Sequence, residues 1–321
     1  MQQKHKILIG IAAIQTVFVL LGFAGKKDLE HYAGDDPLLS AGQDAQNFAD
    51  SISEIVINAA QKSIKITKKE DSWVLPDFYD FPAQQERVKQ LLQNLSQLKK
   101  GWPVGTTAVA AKQLKTAQED FEKQIVLLQD GKVVHTIYIG SSPSFKKVHM
   151  RVDDSNDTYV LPFETYRVST YETSWRDGDL LKRPKEEISE IRLGKLKLVK
   201  NDDDVWQLSD LKESEEMVTD AVDRVVSAIA NLRFSDVLGD QNKKEYQQQK
   251  PVLQFTIIFN DKPQDYRFSI SSSKSDKDST YNYVFKTSAE RFYFQINRSN
   301  VDAIKKATRK SLVKRKAAKS S

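Results

Sequence analysis

The sequence predicts an α+β chain: one N-terminal transmembrane helix, then two tandem repeats of a mostly antiparallel sheet with packed helices, each reading β-β-β-α-β-β-β-β-α. Three observations predict it. An 18-residue apolar run opens the chain, the tetrapeptide ISEI occurs at 52–55 and again at 188–191, and apolar residues alternate with period two through both copies, interrupted by one helical stripe in each.

The first element is the apolar run. Ile7 to Ala24 reads ILIGIAAIQTVFVLLGFA, with only Gln15 and Thr16 polar and with Lys4, Lys6, Lys26 and Lys27 on its flanks. At about 1.5 Å per residue it covers roughly 27 Å, just adequate for a bilayer core. A cleaved signal peptide fits less well, because the run exceeds the usual signal core and two lysines crowd the small residues near Gly22 and Ala24. Residues 1–27 are therefore expected to anchor the chain and 28–50 to act as a linker. A short basic N-terminus stays in the cytoplasm more easily than a large domain does, which places the remainder on the other side.

The first module is expected over 51–171 and the second over 188–310. Ile52, Ile64 and Trp73 have counterparts at Ile188, Leu196 and Trp206, so the separations are 136, 132 and 133 residues. Small drifts of that kind are absorbed in turns. Ile55 and Ile57 share one face opposite Glu54, and Ile191 and Leu193 share one opposite Glu190 and Arg192. A helix is expected from Pro82, with Val88, Leu91, Leu92, Leu95 and Leu98 on one stripe. Its counterpart is expected after Ser214 as N-cap, with Val218, Val222, Val225, Ile229 and Leu232 aligned. Hairpins follow around Asp130-Gly131 and around Asn260 to Pro263. Two more strands come at 148–163 and at 281–296, and short helices close the copies near Glu164 to Ser169 and near Asn300 to Arg309. Residues 172–187 form a polar connector.

Composition excludes several chemistries. There is no cysteine, so there is no disulfide, thiolate nucleophile or cysteine-held zinc. His5, His31, His135 and His149 form no metal-binding pair by spacing. The net charge of +5 is local, because the last 19 residues hold eight lysines and arginines and no acid, leaving 5 − 8 = −3 for the rest. Residues 311–321 read as a basic tail, with Lys310, Lys314, Arg315 and Lys316 as candidates for contact with an anionic surface.

Trp175, Arg176, Asp177 and Asp179 in the connector are candidates for partner docking, since an aromatic beside charges is the kind of anchor that interfaces use. The alternating Tyr281, Tyr283 and Phe285 and, on the next strand, Phe292, Phe294 and Ile296 would stack on sugars if exposed and form core if buried. Asp153, Ser155, Asp157 and Glu164 match a calcium loop only in part, because Thr158 stands where a glycine is needed. Glu54 and Glu190 could serve as a carboxylate pair of a hydrolase only if they converged, and both sit on polar strand faces. No catalytic residue, cofactor, metal or nucleic acid is expected, and the sequence identifies no small-molecule substrate.

The anchor, the Trp73-Val74-Leu75 strand with Phe81-Pro82 after it, Tyr159-Val160-Leu161 before a short helix, and Trp175-Arg176-Asp177-Gly178-Asp179-Leu180-Leu181 before a strand carry a family resemblance. The chain resembles an uncharacterised family of single-span bacterial envelope proteins with a duplicated domain of unknown function, typically encoded beside gliding-motility-type ABC exporters. The resemblance covers roughly residues 50 to 240. It implies a non-catalytic accessory or scaffold subunit of an ABC-type transport or surface-assembly system, held in the bacterial cytoplasmic membrane with its modules on the extracytoplasmic side. An envelope polysaccharide-binding module is the alternative, and a cell-envelope hydrolase ranks below both.

Overall fold

A computed structural model of the protein describes residues 36–39, 45–201, 203–271 and 282–316. It is α+β, with mostly antiparallel sheets and few helices. The expected span at 7–24 lies outside the described residues, and among those described no helix is long and apolar enough to cross a membrane. The chain divides into two compact units, Met1–Asp177 and Gly178–Ser321, so the boundary falls within the connector expected at 172–187.

The first unit contains α1 (Ala45–Ser51), β1 (Glu54–Ala59), β2 (Lys62–Lys69), β3 (Ser72–Leu75), β4 (Phe81–Pro82), α2 (Gln85–Ser96), β5 (Pro103–Gly105) and α3 (Ala108–Gln113). It continues with β6 (Thr116–Ala117), β7 (Asp120–Phe121), β8 (Lys123–Gln129), β9 (Lys132–Ile139), β10 (Lys147–Val152) and β11 (Thr158–Pro162). Nine of these strands form one sheet in the order β4-β3-β2-β1-β8-β9-β10-β11-β5. The alternation fixes its register: Ile55 lies opposite Ile66 and Leu127, and Ile57 opposite Ile64 and Ile125. All six are buried, together with Val88, Leu91, Leu92 and Leu95 of α2 and Phe48 of α1. Helices and one sheet face thus share a single core. The turn between β8 and β9 has φ of +49° at Asp130 and +77° at Gly131, the left-handed pair that an Asp-Gly turn accommodates.

Pro82 does not begin the helix. It pairs with Val74 in β4, and the next amide, that of Ala83, bonds Trp73 O, so the extended backbone runs on. The helix starts at Gln85, whose side chain accepts from the Trp73 amide and donates to the Trp73 and Ala83 carbonyls. The expected helix at 164–169 is a single 3-10 turn, Thr165–Arg167. The stretch from β5 to β7 was not anticipated; Thr107 gave a signal for it, as the N-cap of α3 that accepts from Ala110 N at 3.1 Å.

The second unit contains β12 (Ile188–Leu193), β13 (Leu196–Lys200), β14 (Trp206–Leu208), β15 (Glu215–Met217), α4 (Thr219–Ala230), β16 (Asp236–Gly239), β17 (Leu253–Phe259), β18 (Lys262–Ile270), β19 (Tyr283–Thr287) and β20 (Tyr293–Ile296). It ends with α5 (Asp302–Lys305), α6 (Arg309–Leu312) and β21 (Val313–Arg315). Its main sheet runs β14-β13-β12-β17-β18-β19-β20-β16, which is strand for strand the order β3-β2-β1-β8-β9-β10-β11-β5 of the first unit. Ile52 and Ile55 are buried in one unit and Ile188 and Ile191 in the other. Glu54 is tied to Lys65 of the neighbouring strand at 3.3 Å, and Glu190 to Lys197 at 3.2 Å. ISEI is the same strand position, with the same cross-strand ion pair, in both sheets.

Two expectations change at the end of this unit. Ser214 is not an N-cap, because residues 215–217 extend into β15 and α4 begins only at Thr219. Residues 311–316 are not the start of a free tail: Leu312 is buried and β21 pairs antiparallel with β15, placing Lys314 against Glu216 at 3.1 Å. Two runs of charge, each readable alone as a solvated face, complement one another.

Candidate functional site

Trp175 is fully buried and is no surface anchor. Its Nε1 donates to Ser169 O at 2.8 Å, its carbonyl accepts from Gln84 N at 2.7 Å, and the Arg87 guanidinium carbon lies 4.9 Å from the centre of its ring. The Arg176 guanidinium lies 5.5 Å from the Phe78 ring centre, Asp177 N bonds Pro82 O, and in the second unit Asp179 pairs with Lys182 and Arg233. Trp175 therefore serves packing in the first unit, while Asp179 is an exposed residue of the second. Lys314 is committed to Glu216, and the Lys316 amide bonds Ser214 O, so these two are drawn into the closing strand pair. Tyr283, Phe285, Phe292, Phe294 and Ile296 are all buried, while Tyr281 lies outside the described residues. Burial also pushes the hydroxyl of neighbouring Tyr266 up to about 12. The aromatic stripe is core. Asp153 spends its carboxylate on His135 and the Thr136 amide, and Glu164 faces cations, so the partial calcium template does not assemble.

What the structure does form in the first unit is a groove between α2 and the segment 162–167. Two cavities of about 180 and 360 Å³ share Asn94 and Arg167 as lining residues. Gln90, Asn94 and Gln97 line the groove at helical spacing, presenting one row of amides along α2. The opposite wall carries Tyr166, Arg167, Glu164 and Lys146. Lys123 holds that wall in place: its ammonium, half-buried on β8, donates to Thr165 O at 2.8 Å and Val168 O at 2.6 Å, tethering the carbonyls of the 3-10 turn. Burial lowers the pKa of this lysine.

Glu164 organises the charge. It accepts from the Tyr166 hydroxyl at 2.8 Å and pairs with Lys146 at 3.1 Å and Arg167 at 2.7 Å. Tyr166 first, then Lys146 and Arg167, bring its carboxyl down from 4.5 to about 2. Between those values the folded chain keeps the carboxylate ionised while the unfolded chain takes up a proton. Its contribution to stability is therefore complete above pH 4.5 and is lost as pH falls through about 2. Glu164→Gln should flatten the acid side of the stability profile; equal loss of melting temperature between pH 6 and pH 3 in both proteins would refute this.

Three cations, Arg87, Lys146 and Arg167, and one carboxylate, Glu164, line the groove. Arg87 is the least satisfied. Its Nε is buried with no hydrogen-bond partner among the described residues, and its NH2 reaches Tyr166 O only at 3.5 Å. A groove of this chemistry offers donors to carbonyl or carboxylate oxygens. Arg87, Gln90 and Asn94 escaped the sequence reading because a polar face of an amphipathic helix looks alike whether it meets water or a partner, and Arg167 because only the fold brings its 3-10 turn beside that helix.

No curated protein and no solved structure matches the chain. A family model described as a domain of unknown function, DUF4340, matches residues 73–251. That match spans β3 to the segment before β17, takes in the groove helix, and runs over more than half of the 321 residues, so the chain belongs to the DUF4340 family of domains of unknown function.

Proposed function

We propose that this protein is a non-catalytic accessory or scaffold subunit of an ABC-type transport or surface-assembly system. In this reading residues 7–24 anchor it in the bacterial cytoplasmic membrane, and two copies of one module stand on the extracytoplasmic side. The lysine-flanked apolar run supports the anchor. The shared strand order of the two sheets supports the duplication. The resemblance to envelope proteins encoded beside exporters supports the system.

The observation that carries a binding role is the groove with Arg87 in its lining, its guanidinium making one long hydrogen bond among the described residues, from NH2 to Tyr166 O at 3.5 Å. A partner's oxygen entering the groove would offer it a better acceptor. The groove therefore receives an extended segment of a partner protein, rich in acidic side chains or exposed carbonyls, which the amide row of α2 can read along its length. Anchoring restricts the search to the membrane plane.

The test is purification of the full-length protein from detergent-solubilised membranes, with a photo-crosslinker at Gln90. A crosslink to a membrane-transport subunit, abolished by Arg87→Glu, is expected. Recovery of the protein alone, with no transport subunit enriched, overturns the reading, and finding the intact chain in the cytosol removes the anchor with it.

A further inference from the structure

Away from the groove, the first unit buries a second arginine. Arg151 is the penultimate residue of β10, between Met150 and Val152, and is 7% exposed. A guanidinium taken out of water needs partners for its five donors. Arg151 finds only neutral ones. Nε donates to Thr116 O at 2.7 Å, NH1 donates to Asp153 O at 2.7 Å and Ser155 O at 3.0 Å, and the guanidinium carbon sits 4.2 Å from the Tyr138 ring centre. Among the described residues no carboxylate pairs with it, since the nearby Asp153 is spent on His135 at 2.9 Å and Thr136 N at 2.7 Å. NH2 has no acceptor there either. Nor is that nitrogen sealed in: among the described residues the buried side-chain polar atoms without partners are Arg87 Nε and Gln248 Oε1.

Arg151 contributes to the lining of a cavity of about 370 Å³. Ala108, Val109 and Ala117 supply a small aliphatic surface, and Asp154, Glu119 and Lys112 supply charge. Lys112 and Glu119 already pair at 3.2 Å, which leaves one buried cation and one carboxylate, Asp154, to be matched. Phosphate or any other multiply charged anion would meet two acids in the lining. A single carboxylate joined to an ammonium on a short aliphatic body meets complementary charge at both ends.

We propose that this cavity is a binding site for a small zwitterion of the amino-acid type, its carboxylate accepting from the free edge of Arg151 and its ammonium facing Asp154. The site is independent of the groove and of any transport partner.

Calorimetric titration of the full-length protein in detergent tests it, using alanine and 2-aminobutyrate as probes, with propionate, propylamine and inorganic phosphate as comparators. Saturable binding of the zwitterions is expected, weakened about tenfold or more in Arg151→Gln and with the preference over propionate lost in Asp154→Asn. Val109, 67% exposed in the lining, provides a variant that does not touch the core: Val109→Glu should abolish binding with thermal unfolding unchanged. No saturable heat from either zwitterion, tighter binding of phosphate, or binding retained in Val109→Glu would each overturn the proposal.

Discussion

Trp175→Ala should destabilise the first unit by about 3–5 kcal/mol, the range for emptying a fully buried large aromatic site. The indole is at 0% exposure within the core that includes Val88, Leu91 and Trp73. Its loss removes three supports together. The packing volume goes, Ser169 O loses its donor at 2.8 Å, and Arg87 loses the ring against which its guanidinium lies. Trp175→Phe keeps most of the volume and forfeits the hydrogen bond, so its cost should be smaller, with about 1 kcal/mol assigned to the bond itself. Denaturant unfolding followed by circular dichroism distinguishes these outcomes. A loss under about 1 kcal/mol for the alanine variant would mean that the indole is not the centre of packing described above. The same substitution should also weaken the groove, because Arg87 is positioned by that ring.

Phe285→Ala should cost the second unit a similar amount, about 3–5 kcal/mol. Phe285 is at 0% exposure, with ring centres 4.6 Å from Phe268, 5.6 Å from Tyr266 and 6.1 Å from Phe294. Aromatic pairs at these separations add to the area they bury. Were this stripe a surface for stacking on sugars, the alanine variant would keep its stability and lose a ligand. A melting temperature within a degree or two of the wild type would therefore reverse the assignment of Tyr283, Phe285 and Phe294 to the core.

Period-two alternation made the strands legible. Ile55 and Ile57, Ile125 and Leu127, and Ile191 with Ile257 meet in register because each pattern admits only one buried face. The Asp130-Gly131 turn was legible from chemistry that tolerates positive φ at both positions. The helical stripes from Val88 and from Val222 found their core for the same reason of period.

Long-range pairing is what the sequence hid. Trp175 sits among Arg176, Asp177 and Asp179 and so looks exposed, yet its burial is decided by α2, some ninety positions earlier. Glu215-Glu216 and Lys314-Arg315 each look solvated until the two segments are laid side by side. Pro82 is a fair helix start by propensity, but the Trp73 carbonyl claims the following amide. The candidate site suffered most. Arg87 and Arg151 are ordinary letters in a helix and a strand, and their interest lies in what surrounds them among the described residues: no acceptor for Arg87 Nε and no carboxylate for Arg151.

The pairing of β15 with β21 sets an order of assembly during synthesis. The first unit has all of its described sheet strands once β11 has been made, whereas α4 follows directly on a strand whose partner among the described residues lies at 313–315. Domains fold as units while the chain is still growing. The ribosome therefore releases the means of closing the second unit almost a hundred residues after making the strand that needs it, and until then β15 presents an open edge to chaperones and proteases.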